Sequence, residues 1–253
     1  MLLVTGEVPP RRFIGTFKDF GQNYVRGIVE GNGVPPDGAM WITYSMNKED
    51  IWVTRIPVPI RDAVQEPVDD TFNDLPTGGI VRDWNIYSPC WARVSVVPVP
   101  SQADKSLELR DADPYDYAKA ERVFPDSTQV TVEFSLMCRE RVNDGQLQVE
   151  ITDARGNPAA RLIFDSDGGI KGGHREYVLA GYRPQQWYKI ALSVDTVRHH
   201  CTLAINGQTI IAGAPTLMPI RSVARLIFRT GPRRREPTLD SDRFAGEDLP
   251  HAD

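Results

Sequence analysis

The sequence has little cysteine and no long apolar run, and each lack excludes a class of protein. The three cysteines, Cys90, Cys138 and Cys201, are odd in number, widely spaced and without a CxxC pair, so they predict neither a disulfide framework nor a zinc site. We interpret them as small buried core residues. Because no stretch of about 18 apolar residues occurs, we predict no membrane span. The first residues also lack the basic start and apolar middle of a signal peptide.

Concentrated positive charge is missing as well. The formal net charge is −5 at pH 7, and acidic residues follow the one basic run, at 233–235. Nonspecific binding to nucleic acid needs a concentrated basic surface. We therefore expect no nucleic-acid partner and interpret the basic run as a solvated loop.

Short β-strand patterns fill the chain instead. The 20 prolines and 20 glycines separate runs of β-branched and aromatic residues, while helix signals are almost absent. The alternation is clearest in Gln129–Met137, where Val130, Val132, Phe134 and Leu136 share one face. A period of two with one polar face indicates antiparallel sheets packed as a sandwich. We predict an all-β fold.

The strand predictions become dense beyond residue 70. They are Trp91–Val97, Ser106–Leu109, Ala120–Phe124, Gln129–Arg139, Gln146–Asp153, Ala160–Asp165, Glu176–Leu179, Trp187–Asp195, His200–Ile205 and Val223–Thr230. Asn206-Gly207 is the strongest hairpin signal, since both residues tolerate positive φ. Asp167–Gly173 contains four glycines and is predicted to be a flexible loop.

The first 60 residues contain a separate set of predicted strands. Their predicted strands are Thr16–Phe20, Tyr24–Glu30, Met40–Ser45 and Ile51–Ile56. Four short antiparallel strands are what one β-propeller blade needs, and a lone blade cannot bury its faces. We predict that residues 1–60 are the end of a propeller, that 61–70 are a linker and that 71–253 are the sandwich.

Two segments resemble a known family. Trp187–Asp195 followed by Cys201–Gln208 is similar to the paired strands of concanavalin-A-like, laminin-G-like jelly rolls. Tyr44–Pro59 resembles the end of the propeller in bacterial sialidase-like, BNR-type proteins, in which such a jelly roll commonly follows the propeller. Asn85–Pro89 and Ser106–Asp116 strengthen the association, although the chain has no Asp box.

The resemblance implies the C-terminal part of a carbohydrate-active, sialidase-like glycoside hydrolase. The jelly roll would be an accessory module that binds glycan or buttresses the propeller, and the partner would be an oligo- or polysaccharide. The reaction, glycoside hydrolysis or uronate lysis, would belong to the missing propeller portion, so this chain alone would be inactive. The resemblance further implies a secreted or periplasmic parent, truncated at both ends, whose sandwich lacks its last strand. A non-catalytic lectin-like module and a structural interaction domain are the alternatives.

The polar corner Asn47-Lys48-Glu49-Asp50 is the first candidate site. Glu49 would act as acid or base, Lys48 would bind the carboxylate of a uronate or sialate, and Asn47 and Asp50 would bind sugar. The alternative is a solvated turn whose Lys–Glu pair contributes under ~1 kcal/mol. Sialidase-like sites use a tyrosine and arginines against an anionic sugar, so the resemblance adds Tyr44 and Arg26 as catalytic candidates.

Aromatic and acidic residues supply two further candidates. Trp84, Tyr87 and Trp91 are predicted to form a cluster that stacks on a sugar ring, or one that packs where the linker joins the sheets. The carboxylates of Asp111–Asp116 resemble a calcium ligand set but lack the EF-hand spacing. His199 and His200 are adjacent in a strand and point to opposite faces. We therefore predict no metal site and no cofactor, with calcium at the acidic cluster as the alternative.

Overall fold

Antiparallel strands make up the fold of this protein. The structure, a computed structural model, describes residues 22–28, 39–57, 64, 66–79, 81–88, 91–113, 116–139 and 146–231. The strands in this part of the chain are β1 Gln22–Ile28, β2 Ala39–Met46, β3 Asp50–Pro57, β4 Trp84–Tyr87, β5 Ala92–Val97, β6 Ser106–Asp111, β7 Lys119–Ser127, β8 Gln129–Met137, β9 Gln146–Thr152, β10 Pro158–Asp165, β11 Gly169–Gly172, β12 Tyr177–Gly181, β13 Trp187–Asp195, β14 His200–Ile205, β15 Gln208–Pro215 and β16 Val223–Arg229. Across these ranges no α-helix forms, and no element qualifies as a membrane-spanning helix.

The strands form a sandwich, as predicted. A seven-stranded sheet has the order β12-β11-β10-β9-β16-β7-β4, and a four-stranded sheet has the order β15-β14-β13-β8. The hairpin β5–β6 and the sheet β1-β2-β3 complete the described strands. Every pair in these sheets is antiparallel.

The main core lies between the two larger sheets. Alternate residues of β8, among them Phe134 and Leu136, face inward against Val149 and Ile151 of β9 and Ile190 of β13. Inward and outward residues alternate because successive side chains of a strand point to opposite faces. The apolar half of the predicted pattern is therefore the core.

The last described strand lies inside the seven-stranded sheet. β16 pairs with β9 on one side and with β7 on the other. The predicted strand Thr16–Phe20, the basic run 233–235 and residues 61–63 and 65 of the predicted linker lie outside the described residues. The domain boundaries therefore stay predictions.

Three strands were not predicted from the sequence. β4 has only four residues, β15 has Ile210 and Ile211 side by side instead of an apolar alternation, and β11 lies in the segment predicted to be a flexible loop. That prediction is wrong because β11 pairs through its backbone with β10 and β12. Its Gly172 is packed so closely that an added Cβ would lie 2.8 Å from Leu179 Cδ1. The Asn206-Gly207 hairpin is confirmed, with φ values of 51° and 80° between β14 and β15.

Cys138 is expected to be inert toward thiol reagents near pH 8 in the folded protein. The side chain is buried, as predicted, and this burial raises the pKa of the thiol to about 11. At that pH roughly one thiol in a thousand is ionised, and the thiolate is the reactive form. Alkylation followed by peptide mass spectrometry would measure a rate at least ~100-fold lower in folded than in urea-unfolded protein. Equal rates would contradict this expectation. Cys201 is half-buried, and Cys90 lies outside the described residues.

Candidate functional site

The predicted corner is a tight turn between β2 and β3. Asn47 and Lys48 have φ values of 52° and 55°, and the N–H of Glu49 donates to the carbonyl of Met46 over 2.9 Å. Asn47 is only 2% exposed. Glu49 and Lys48 are half-buried, and Asp50 is exposed at the start of β3. The corner therefore presents Lys48, Glu49 and Asp50 but not Asn47.

The two residues that the resemblance adds do not converge on one face. Tyr44 is buried, and its hydroxyl lies 2.9 Å from Thr54 Oγ1 on the neighbouring strand. Arg26 of β1 is exposed and pairs with Thr43, the residue before Tyr44. Adjacent residues of a strand face opposite sides. Tyr44 and Arg26 thus lie on opposite faces of this sheet.

The three predicted aromatic residues occupy three different environments. Trp84 and Tyr87 are three positions apart on β4 and so lie on opposite faces. Trp84 packs against Phe72 and Phe228, at ring centroid distances of 5.8 and 6.1 Å. Trp91 is 69% exposed. The three rings therefore do not form one platform, and Trp84 packs where residues before β4 meet the sandwich.

Tyr87 belongs to a continuous aromatic stack. Its ring is 4.8 Å from that of Trp52 at an interplanar angle of 11°, and 4.9 Å from that of Tyr117. Trp52 in turn lies 6.4 Å from Tyr44, and the guanidinium of Arg229 lies 4.0 Å from the ring of Tyr117. We call these five residues the aromatic stack. It connects the β2–β3 hairpin to the seven-stranded sheet.

The acidic cluster after β6 is hydrogen-bonded within its own loop and to residues of other elements. Asp111 Oδ2 accepts a hydrogen bond of 2.7 Å from the Thr230 hydroxyl, and Asp111 Oδ1 accepts the N–H of Asp113. Asp116 accepts the hydroxyl of Tyr87 and the N–H of Tyr117. Burial raises the pKa of Asp111, and the hydrogen bond from Thr230 opposes that shift. In the described ranges no group of three or more potential metal ligands is found.

A shallow polar groove runs across the outer face of the four-stranded sheet. Its volume is about 470 Å³. The polar residues that line it are Gln129, Thr131, Ser193, Asp195, His200 and Thr202. These groups can donate to and accept from a polyol. We call this the sheet groove.

Hydrogen bonds order the side chains of the sheet groove. The hydroxyls of Thr131 and Ser193 lie 2.8 Å apart, and Gln129 Nε2 donates to Asp195 Oδ2 over 2.9 Å. The N–H of Arg198 is the first of several hydrogen bonds that lower the pKa of Asp195. Asp195 is therefore a carboxylate at neutral pH. It can accept sugar hydroxyls with the oxygen positions that remain.

The second face of the seven-stranded sheet carries rows of polar residues. One row crosses five strands through Arg161, Glu150, Ile227, Glu121 and Asn85, in the order β10, β9, β16, β7 and β4. The next row crosses them through Ile163, Gln148, Arg229, Lys119 and Tyr87. Most of these charged side chains are buried. We call this surface the charged face.

Ion pairs connect neighbouring strands on the charged face. Glu121 contacts Lys119 at 2.9 Å and Arg225 at 2.6 Å, and Glu150 contacts Arg161 at 2.5 Å. Such pairs compensate the loss of hydration that burial imposes on each ion.

Neither the sheet groove nor the charged face was predicted from the sequence. The polar residues Gln146, Gln148, Glu150 and Thr152 alternate with the apolar half of β9, and this pattern was interpreted only for its apolar face. The alternation itself was the available signal. It gave the face of each residue but not the burial of that face.

The chain is similar to known sialidase-related proteins. Residues 84–245 match the family model described as Sialidase-like, CBM domain. Among solved structures, a protein titled Sialidase matches with 36% identity and a TM-score of 0.80, over 92% of this chain and 21% of that chain. The chain thus spans about a fifth of the length of that sialidase.

Two other solved structures match with low TM-scores. A GH131 β-glucanase catalytic domain from Podospora anserina has 14% identity and a TM-score of 0.45, over 67% of this chain and 88% of its own. A Trypanosoma rangeli sialidase in complex with sialic acid has 11% identity and a TM-score of 0.32, over 85% of this chain and 39% of its own. Both scores are too low to support a functional argument. No curated protein sequence matches the chain significantly.

Proposed function

Because the chain belongs to the Sialidase-like, CBM domain family, we propose that it is a glycan-binding accessory module of a sialidase-like glycoside hydrolase. The parent enzyme would act on an oligo- or polysaccharide and would be secreted or periplasmic. On this proposal the β1-β2-β3 sheet is the end of the parent's propeller. The sandwich holds the glycan while other parts of the parent carry the catalytic groups.

The sheet groove is the observation that carries this proposal. It places hydroxyl, carboxamide, carboxylate and imidazole groups side by side on an open sheet, and sugar hydroxyls need such mixed donors and acceptors. Each direct hydrogen bond contributes about 0.5–1.5 kcal/mol, so several together give a weak but selective site. Trp187, 37% exposed, begins the same strand as Ser193 and lies on the same face. Its ring is suited to stack on a sugar at one end of that face.

A binding role is favoured over catalysis within this chain. General acid–base chemistry on a glycoside needs two carboxyl groups that converge on one bond. Glu49 and Asp50 are adjacent at one turn. The hydroxyls of Tyr44 and Thr54 are hydrogen-bonded to each other, and Arg26 lies on the other face of the sheet from Tyr44. The corner would contribute to a pocket only together with the rest of a propeller.

Buttressing is a second role, and the aromatic stack favours it. Trp52 and Tyr87 lie nearly parallel at 4.8 Å and join the N-terminal sheet to the sandwich. Aromatic pairs of this kind contribute about 0.5–1.5 kcal/mol beyond the burial of their area. A module held in this way would support the propeller and bind glycan at once.

The double variant Thr131→Val, Ser193→Ala is expected to lose at least ~10-fold in glycan affinity, or about 1.4 kcal/mol. Both hydroxyls of one hydrogen-bonded pair are removed together, so neither is left without its partner and the fold should tolerate the change. A glycan array followed by calorimetry on the selected oligosaccharide would measure the affinity, and Trp187→Ala would test the stacking position.

Thr77→Val is the matched control, because Thr77 is exposed in a turn far along the chain from the groove strands. Circular dichroism would verify that each variant is folded. Selective glycan binding that survives in both groove variants would contradict the assignment of the sheet groove. A folded wild-type protein that binds no glycan would contradict the binding role itself.

A further inference from the structure

The β5–β6 hairpin has two arginines directly opposite each other on its outer face. Arg93 of β5 and Arg110 of β6 are cross-strand partners in the register of the hairpin, and both side chains are exposed. Cross-strand partners lie about 4.5–5.5 Å apart between Cα atoms, and like charges in such a pair destabilise a sheet. The stability of the fold therefore gives no reason for this pair.

No carboxylate compensates the two arginines. Among the residues that the structure describes, neither Arg93 nor Arg110 forms an ion pair or a side-chain hydrogen bond. The one carboxylate on the outer face of these two strands belongs to Glu108, and Arg139 donates to it over 3.0 Å. The face is thus positively charged, in a chain whose formal net charge is −5.

Trp91 extends the same face. The N–H of Ala112 donates to the carbonyl of Trp91 over 2.8 Å, which continues the ladder by one residue before β5. Trp91 and Arg93 are two residues apart, so their side chains point to the same side, with about 7 Å between the Cα atoms. The indole is largely exposed. We call Trp91, Arg93 and Arg110 the hairpin site.

We propose that the hairpin site binds a sulfate ester of a sugar, with the sugar ring stacked on Trp91 and the ester between Arg93 and Arg110. The proposal rests on the proposed glycan-binding role of the module and adds a second contact, on a hairpin separate from the sheet groove. All three side chains are exposed, so a polysaccharide can reach them directly.

The number and type of the cations favour a sulfate ester. Its three terminal oxygens can accept from two arginine forks at once, whereas the two oxygens of a carboxylate match one fork. A phosphate monoester carries a charge of about −1.5 to −2 at pH 7, and removing water from it costs more than from a singly charged ester. Arginine is also more weakly hydrated than lysine. Two arginines without a lysine therefore suit the singly charged ester at an open surface.

The first test is an NMR titration of the full chain with galactose 6-sulfate, galactose 6-phosphate and galactose. These sugars differ only in the group at one carbon. We expect the sulfate to shift the indole N–H of Trp91 and the backbone N–H signals of Arg93 and Arg110. The phosphate should bind at least ~10-fold more weakly, and galactose more weakly still. Tighter binding of the phosphate, or equal binding of galactose, would overturn the proposal.

The second test compares variants by calorimetry. Arg93→Gln and Arg110→Gln should each lose at least ~10-fold in affinity for galactose 6-sulfate. Neither should lower the midpoint of urea unfolding, because each removes a like-charge contact. Arg155→Gln removes the same charge at an exposed turn between β9 and β10 and should bind like the wild type. Affinity that survives in both hairpin variants would overturn the site.

The hairpin site and the sheet groove can fail separately. The variant Thr131→Val, Ser193→Ala should keep its binding of galactose 6-sulfate. A protein that binds neutral glycan but not galactose 6-sulfate would contradict the hairpin site alone. One that binds galactose 6-sulfate and no neutral glycan would contradict the sheet groove and support the hairpin site. Equal binding of a hexaglutamate peptide, which has neither a sugar ring nor a sulfate, would indicate an acidic protein partner and overturn the proposal.

Discussion

Replacing Phe164 by alanine is expected to lower the free energy of unfolding by about 3–5 kcal/mol. Phe164 is fully buried on β10, pairs with Leu147 and Ile170 on the two neighbouring strands, and packs edge-on against Tyr182 at 5.6 Å. The change removes apolar burial and leaves a cavity that the surrounding strands fill only partly. Small domains are stable by about 5–15 kcal/mol, so this loss is a large share of the total.

Urea unfolding followed by tryptophan fluorescence would measure the effect of Phe164→Ala. Val197→Ala is the control, since Val197 is exposed in the turn after β13 and should change the stability by less than ~0.5 kcal/mol. The hydroxyl of Tyr182 donates to the carbonyl of Asp165, which keeps the ring of Tyr182 in place beside the cavity. A loss below ~1 kcal/mol would show that the two sheets close around the missing ring, contrary to this expectation.

The variant Glu121→Leu is expected to destabilise the fold by about 3–5 kcal/mol, although leucine is apolar and Glu121 is buried. Glu121 is 3% exposed and contacts both Lys119 and Arg225. Removing it leaves two buried cations without the carboxylate between them, and the loss of that compensation outweighs the gain in apolar burial. The effect should exceed that of Glu108→Leu, which breaks a more exposed pair with Arg139 and should change the stability by at most ~1 kcal/mol.

A double-mutant cycle with Arg225→Met would test the cause. If the loss comes from an uncompensated cation, the double variant should recover part of the stability lost in Glu121→Leu. Equilibrium unfolding at several salt concentrations gives the readout. Additive losses in the two single variants would indicate that poor packing of leucine, and not charge, is responsible.

The fold could be predicted where apolar residues alternate along a strand with polar residues that face solvent. β13 and β14 match the predicted bounds because their apolar residues repeat with a period of two and end at polar turns. β11 has two glycines among its four residues, and β15 has Ile210 and Ile211 side by side, so neither segment shows an apolar alternation. Hydrogen-bond pairing of the backbone is available to any sequence, which is why these strands were missed.

The site could be predicted less well, for a geometrical reason. The corner was found because its four polar residues are consecutive. In the sheet groove, Gln129 lies near His200 and Gly213, and on the charged face Glu121 contacts Arg225. These residues are far apart in the sequence and meet because their strands pair. A linear pattern reports the face of each residue but not which strand becomes its neighbour. The register of the sheets supplied that information.

The aromatic stack has a consequence for how a bound glycan would be delivered. A flexible tether would let the sandwich sample all directions, and the effective concentration of a captured chain near a catalytic centre would fall with tether length. The near-parallel contact of Trp52 with Tyr87 instead favours one orientation between the hairpin and the sandwich. On the proposed function, a captured polysaccharide would leave the module along that direction, and the contact would influence which bond of the polysaccharide reaches the catalytic centre.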